Sequence, residues 1–270
     1  MAALRRRSIP DTGALSGVDI LIGIDDTDNL YTPGTGRQAR ALLHELTAAG
    51  LGFPAGATRH QLLVDDRIPY TSHNSSACLA WRSAHGDPHA VRADIIKLAA
   101  RFLERVCPVD ADPGLAVVLP GALGAATRQL VEFGGRAKRE VLHSNEARER
   151  AAELSVHLSG HGGTQQGIIG ALAAVGLHLS SNDGLFITLP GLSELPNCAT
   201  IEAVQELVPI DLARDHLDRQ PEPGEVIELG DWVRPVLLDG LAVLLLEPPH
   251  MQNDGSRLWR TAPRAVVKKH

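Results

Sequence analysis

The sequence predicts an α/β fold that opens as a nucleotide-binding unit, on three observations. Residues 18–24 (V-D-I-L-I-G-I) form a short apolar run rich in β-branched residues, the pattern of a buried strand. That run ends in Asp25-Asp26-Thr27-Asp28 and passes into a Gly/Pro loop, Thr32-Pro33-Gly34-Thr35-Gly36. Residues 37–49 then carry Ala39, Leu42, Leu43 and Leu46 at helical spacing and stop at Gly50.

The later elements follow from the same periodicities. Residues 59–64 and 77–81 read as strands, and 88–106 as an amphipathic helix with Pro88 at its start. Residues 115–119 read as a strand behind Asp112-Pro113-Gly114. Residues 128–142 and 146–158 read as helices, the second capped by Ser144 or Asn145. Residues 166–175 form an apolar helix behind the loop His161-Gly162-Gly163-Thr164. Composition changes after Pro209. A polar Pro/Gly linker at 220–224 leads to short strands over 225–247, with turns at Gly230-Asp231 and Asp239-Gly240, and 251–270 reads as a loose tail. The expected organisation is a tail over 1–16, a main region over 17–205, and a linker with a small β segment over 206–270.

Composition narrows the function classes. The chain has 270 residues, 44% hydrophobic and 21% charged, enough to bury a core without disulfides or structural metal. Cys78, Cys107 and Cys198 are odd in number and far apart, with no C-x-x-C, so they read as buried thiols in a reducing compartment. Arg5, Arg6 and Arg7 precede no apolar segment, and no run approaches a membrane span, so a cytoplasmic protein is expected. Twenty-six Lys and Arg against 32 Asp and Glu, with 3% aromatic residues, disfavour a nucleic-acid partner. Small-molecule substrates fit that balance, and a homo-oligomer is compatible with it.

The acidic cluster carries the first chemical expectation. Three carboxylates within four residues repel one another, and alternation puts Asp26 and Asp28 on one side of an extended chain, where they can share a cation. Mg²⁺ takes one or two carboxylates and completes its shell with water and phosphate oxygens, and ligands of α/β folds sit beyond strand ends. Asp25, Asp26 and Asp28 are therefore the expected metal ligands, against the plainer reading of a solvated turn that caps the next helix. Gly34 and Gly36 are expected to let backbone N–H groups approach a phosphate at the helix start, with Arg37 and Arg40 adding charge. No Walker A ending follows them. Gly167, Gly170 and Ala171 allow either a ligand or a packed helix to come close, and packing is the better reading of that stretch alone. His157 and His161 stand four residues apart, but glycines interrupt the helix that would align them.

Taken in order, these blocks resemble archaeal tRNA agmatidine synthetase. Gly23-Ile24-Asp25-Asp26-Thr27-Asp28 is similar to that family's G-I-D-D-T-D opening. Ile68-Pro69-Tyr70 stands where it has I-P-F, and Asp112-Pro113-Gly114 where it has N-P-G. Gly167-Ile168-Ile169-Gly170-Ala171-Leu172-Ala173-Ala174-Val175-Gly176 resembles its R-G-x-I-G-A-L-A-A-x-G block. The resemblance runs from about residue 18 to 185. It implies a kinase-like domain with a ferredoxin-like part, an ATP and Mg²⁺ site at Asp25, Asp26 and Asp28, and activation of a tRNA cytidine for attack by agmatine. The family's threonine loop is replaced by Gly34-Thr35-Gly36-Arg37-Gln38, so Thr35 or Arg37 takes the threonine's place. Its K-T-R-G-N run is replaced by Thr71-Ser72-His73-Asn74-Ser75, and Gln166 stands for its arginine. Its OB-fold and zinc ribbon have no counterpart here.

Three functions compete on this reading. The favoured one is an ATP- and Mg²⁺-dependent phosphotransferase or ligase acting on a small molecule, an amine or guanidine compound by analogy with agmatine. The second is a tRNA-modifying ligase of the agmatidine synthetase type that works with a partner. The third is a nucleotide-binding protein without catalysis.

Overall fold

A computed structural model describes residues 15–29, 31–68, 74–84 and 86–270. Pro69, Tyr70 and the run 71–73 of the resemblance, and most of the expected tail, lie outside those residues. The chain begins β1 (Ile20–Asp25), α1 (Thr35–Ala48), β2 (Gly52–Gln61), β3 (Ser75–Ser83), α2 (Pro88–Val106) and β4 (Gly114–Val118). Their hydrogen-bonded order is β4-β1-β3-β2, all antiparallel, the split βαβ arrangement of a ferredoxin-like unit. Next come α3 (Pro120–Leu123), α4 (Thr127–Ala137), α5 (Ser144–Glu153), β5 (His157–Gly160) and α6 (Gly167–Leu179). The remainder is β6 (Leu185–Thr188), β7 (Cys198–Thr200), α7 (Ile201–Leu207), β8 (Leu212–Arg214), β9 (Val226–Glu228), β10 (Val236–Leu238), β11 (Leu241–Leu245), β12 (His250–Met251), β13 (Arg257–Arg260) and α8 (Arg264–Val267).

Helices cover both faces of the sheet, which is why β1 is apolar at nearly every position. Ile20, Ile22 and Ile24 pack with Leu42 and Leu46 of α1 and Ile95 and Phe102 of α2. On the opposite face Leu21, Ala80 and Val118 pack with Leu130 and Phe133 of α4 and Leu172 and Val175 of α6. Glycines set the depth of the second layer. A Cβ on Gly23 would collide with the Ala171 carbonyl of α6, and one on Gly176 with the Leu130 carbonyl of α4. The small residues of α6 therefore serve close packing against β1 and α4.

Several expected bounds shift for local reasons. The helix expected over 146–158 ends at Glu153, and its last residues turn through Ser155 (φ 53) into the edge strand β5. Its N-cap is His143, reciprocated by Glu146, instead of Ser144 or Asn145. The C-terminal β segment divides between the main sheet and a second small sheet. β6 pairs with β2 and exposes its other edge, which β10 occupies through Val236 opposite Leu185, so β10, β11 and β8 extend one sheet in the order β5-β4-β1-β3-β2-β6-β10-β11-β8. The β10–β11 turn is Asp239-Gly240, both left-handed (φ 51 and 77), as a two-residue hairpin requires. Residues 251–270, expected loose, form β13 and α8, and β12-β13-β9-β7 make a second sheet. Of the three thiols only Cys78 is buried. Cys107 is half-buried and Cys198 exposed.

Candidate functional site

The end of β1 faces the start of β4, where Asp25 pairs with Gly114. Asp112, two residues before β4, is thereby brought beside Asp26. The chain leaves the strand sharply, since Asp26 has left-handed backbone (φ 51). The alternation expected to align Asp26 with Asp28 therefore stops at Asp25. Asp28 turns instead toward α1, where its Oδ1 accepts from the backbone N–H of Thr35 at 2.9 Å and from the Thr35 hydroxyl at 2.9 Å. Asp25, Asp26 and Asp28, the expected metal ligands, line one cleft without converging on a single point. Among the described residues no three His, Cys, Asp or Glu side chains gather closely enough to hold a metal ion.

What does gather is a cleft of about 540 Å³, lined on one side by Asp25, Asp26, Asp28 and Thr35, and on others by Asp112 and by Gln166, Gly167 and Gly170 of the α6 start. Arg67, Asn74, Glu140 and Asn145 complete its polar rim. Gly34, Gly36, Arg37 and Arg40 do not line it. Neither loop glycine is under constraint. Gly34 has ordinary extended backbone (φ −60, ψ 161), and a Cβ on Gly36 would rest 3.6 Å from Ile187. The α1 amide expected to face a phosphate, at Thr35, is already held by Asp28. Arg40 points the other way, its Nη1 lying 3.5 Å from the Ile187 carbonyl.

Gly167 and Gly170, by contrast, have no room for a side chain. A Cβ on Gly170 would collide with the Asp25 carboxyl and one on Gly167 with the Asp112 carbonyl. This closeness brings the start of α6, which has no side-chain cap and no acid in its first turn, against the carboxylates. Burial, with Asp26 next to it, pushes the Asp25 carboxyl up to about 8. Burial and the Asp112 charge push Asp26 up to about 6. Asp112 accepts from the Thr164 hydroxyl through Oδ2, while its Oδ1 is buried without a partner. An orphaned carboxylate oxygen beside a second crowded carboxylate is a donor set that fits one divalent cation, because Mg²⁺ needs only one or two protein carboxylates. In the sequence Asp112 stands in the Asp112-Pro113-Gly114 block of the resemblance, but its residue pattern alone reads as a turn.

Two polar networks lie outside the cleft. On β5 the Ser159 hydroxyl bonds His157 (3.0 Å) and His161 (2.8 Å), and His161 Nδ1 meets Glu104 at 3.1 Å. In the interior Thr58 Oγ1 bonds His60 (2.8 Å) and His178 (2.9 Å), and Asp183 bonds both His60 and Lys138. His60 and His178 are buried polar residues of the core.

The molecule is thus of a definite class: a ferredoxin-like α/β sheet covered on both faces, with an acidic cleft where β1, β4 and the start of α6 meet. Solved structures of the same fold exist. A crystal structure of TiaS with an isoleucine tRNA and ATP superposes with a TM-score of 0.50, at 23% identity over 59% of this chain and 36% of that one. A tRNA fluorescent labeling enzyme gives 0.49 and 25% over 58% and 35%. Apo TiaS, a tRNA agmatidine synthetase, gives 0.48 and 22% over 58% and 35%. This chain spans about a third of the length of those proteins, 35–36%. No known family profile and no curated protein sequence matches it. Among the described residues no helix is long and apolar enough to cross a membrane.

The comparison corrects one expectation outright. Net charge disfavoured a nucleic-acid partner, yet the TiaS structure that shares this fold was solved with tRNA bound. Net charge sums over the whole surface, whereas binding depends on where cations cluster.

Proposed function

We propose that this chain is the ATP-using part of an RNA-modifying ligase, with the cleft between β1, β4 and α6 as its nucleotide site. One observation carries the reading: the uncapped start of a 13-residue helix opens onto a cleft lined by Asp26 and Asp112. Orphan N–H groups and the helix dipole favour a phosphate there. The cleft volume, about 540 Å³, falls within the range of pockets that hold ligands of nucleotide size.

In this reading Asp26 and Asp112 hold the Mg²⁺ that accompanies ATP, and the nucleotide supplies the activated phosphoryl or adenylyl group. Asp25 lies behind Asp26 against Gly170, and burial pushes its carboxyl up to about 8 in the metal-free chain. Gly167 and Gly170 keep the helix start within reach. Thr35 is a wall of the site held by Asp28, and Arg37 and Arg40 lie outside it. The RNA acceptor is supported by the fold shared with a protein crystallised on an isoleucine tRNA. A small amine remains the second substrate that the sequence resemblance implies.

The experiment is ATP turnover by the full chain with Mg²⁺, measured with and without bulk tRNA and a panel of amines. Release of AMP or phosphate that requires RNA is the expected outcome. Turnover indifferent to RNA, or no binding of ATP, would overturn the reading.

A further inference from the structure

Away from the cleft, two arginines from separate elements lie over one indole, and a third stands on the neighbouring strand. The Arg264 guanidinium carbon, at the start of α8, lies 5.1 Å from the centre of the Trp232 ring. That of Arg234, just before β10, lies 5.6 Å from it. Arg40 of α1 reaches the Ile187 carbonyl of β6, the strand on which β10 pairs, and its charge acts with that of Arg264 on Arg234. Burial and these two like charges depress the Arg234 pKa. Arg40 and Arg264 are exposed, and Trp232 and Arg234 are half-buried.

Among the described residues no carboxylate pairs with any of the three, whereas Arg67 holds one and Arg136 and Arg257 hold two each. In a chain of net charge −6, acids are plentiful enough to have served. Guanidinium forks suit phosphate oxygens, and the Trp232 indole backs two of these forks. None of the four residues lines the acidic cleft.

We infer that Arg40, Arg234 and Arg264, with Trp232 packed beneath the last two, form a docking surface for the RNA substrate, taking backbone phosphates on the arginines. The inference rests on the RNA-acceptor reading above, and adds a second RNA-binding surface apart from the nucleotide site.

Tryptophan fluorescence tests it directly. Of the chain's three tryptophans, Trp81 and Trp259 are fully buried, so quenching by added RNA reports Trp232. The probes are an oligouridylate, bulk tRNA and inorganic triphosphate, each titrated over a series of salt concentrations. Both RNAs should quench, and triphosphate at equal phosphate concentration should not. Arg40→Glu with Arg264→Glu should weaken RNA binding about tenfold or more, and flatten the slope of log affinity against log salt by roughly 0.7 for each phosphate no longer neutralised. Arg40→Lys with Arg264→Lys should retain the slope, and Mg²⁺–ATP affinity should be unchanged in all variants. RNA binding by the glutamate variant with wild-type affinity and slope would overturn the surface and leave the acceptor reading standing. Loss of ATP binding in that variant, or equal quenching by triphosphate, would assign the cluster to a small phosphate ligand instead. A wild-type chain that binds neither RNA would sink both.

Discussion

Two helices of this protein begin behind glycines, and they differ in what the glycines are for. At α1, Gly34 and Gly36 stand in open surroundings, and the first amide of the helix is bonded to Asp28. At α6, Gly167 and Gly170 are pressed against Asp112 and Asp25, and the helix start is uncapped and faces the cleft. The two strings look alike in sequence, and the Gly-Thr-Gly loop beside three aspartates looks the better phosphate site. The difference arises in the third dimension. A glycine marks a site only where something approaches it closely, and the neighbour of Gly167 is a turn 55 residues earlier in the chain.

The largest expected effect is on packing. Gly167→Ala must displace the Asp112 backbone, and overpacking of this kind costs about 1–3 kcal/mol, so chemical denaturation should show a loss at the upper end of that range. Gly36→Ala should leave stability unchanged or raise it by up to about 1 kcal/mol, because alanine suits a helix better and meets only Ile187 at ordinary distance. Equal losses from the two substitutions would erase the distinction between the helix starts.

The layer beneath α6 adds a pH dependence. Burial pushes His178 down to about 3, so it is neutral in the folded state near neutral pH, and burial shifts His60 in the same direction. Their unfolded counterparts take up protons near pH 6.5. Stability should therefore hold above about pH 6.5 and fall as pH drops toward 3, by up to about 1.4 kcal/mol per pH unit for each histidine that stays neutral. Equilibrium unfolding at stepped pH checks this, and replacing His178 with Gln should reduce the slope.

The smallest effect concerns the cap. Asp28→Ala removes the acceptor for Thr35 and should cost about 1 kcal/mol, as the loss of an N-terminal cap does. Asp28→Asn should recover most of it, since an amide oxygen can still accept. An Asp28→Asn variant that keeps its stability but loses Mg²⁺–ATP would return Asp28 to the metal site.

Much of this fold is legible from the chain alone. The apolar run of β1, the helical spacing of α1 and the Pro-led α2 rest on local periodicity, and α2 spans the residues expected of it. The edge strand His157–Gly160 is not legible, because four residues following a helical pattern carry too little alternation to break it. The union of β10 with β6 is a pairing 51 residues apart, invisible to any local window. Within the site, Asp25 and Asp26 announce themselves as a cluster. Asp112 does not, since it reaches them only through the register of β1 on β4. Trp232 gives no signal in the sequence, because a lone aromatic beside one arginine says nothing until Arg40 and Arg264 arrive from elsewhere in the fold.

The measurement that bears most directly on the nucleotide site is the calorimetric affinity for Mg²⁺–ATP of Asp112→Asn beside that of Arg37→Ala. Asp112 lines the cleft, and Arg37 is outside it. With the nucleotide at the start of α6, Asp112→Asn should lose affinity by about tenfold or more, the worth of a charged interaction, while Arg37→Ala binds as the wild type does. Full binding by Asp112→Asn together with weakened binding by Arg37→Ala would contradict that placement and put the nucleotide at the start of α1.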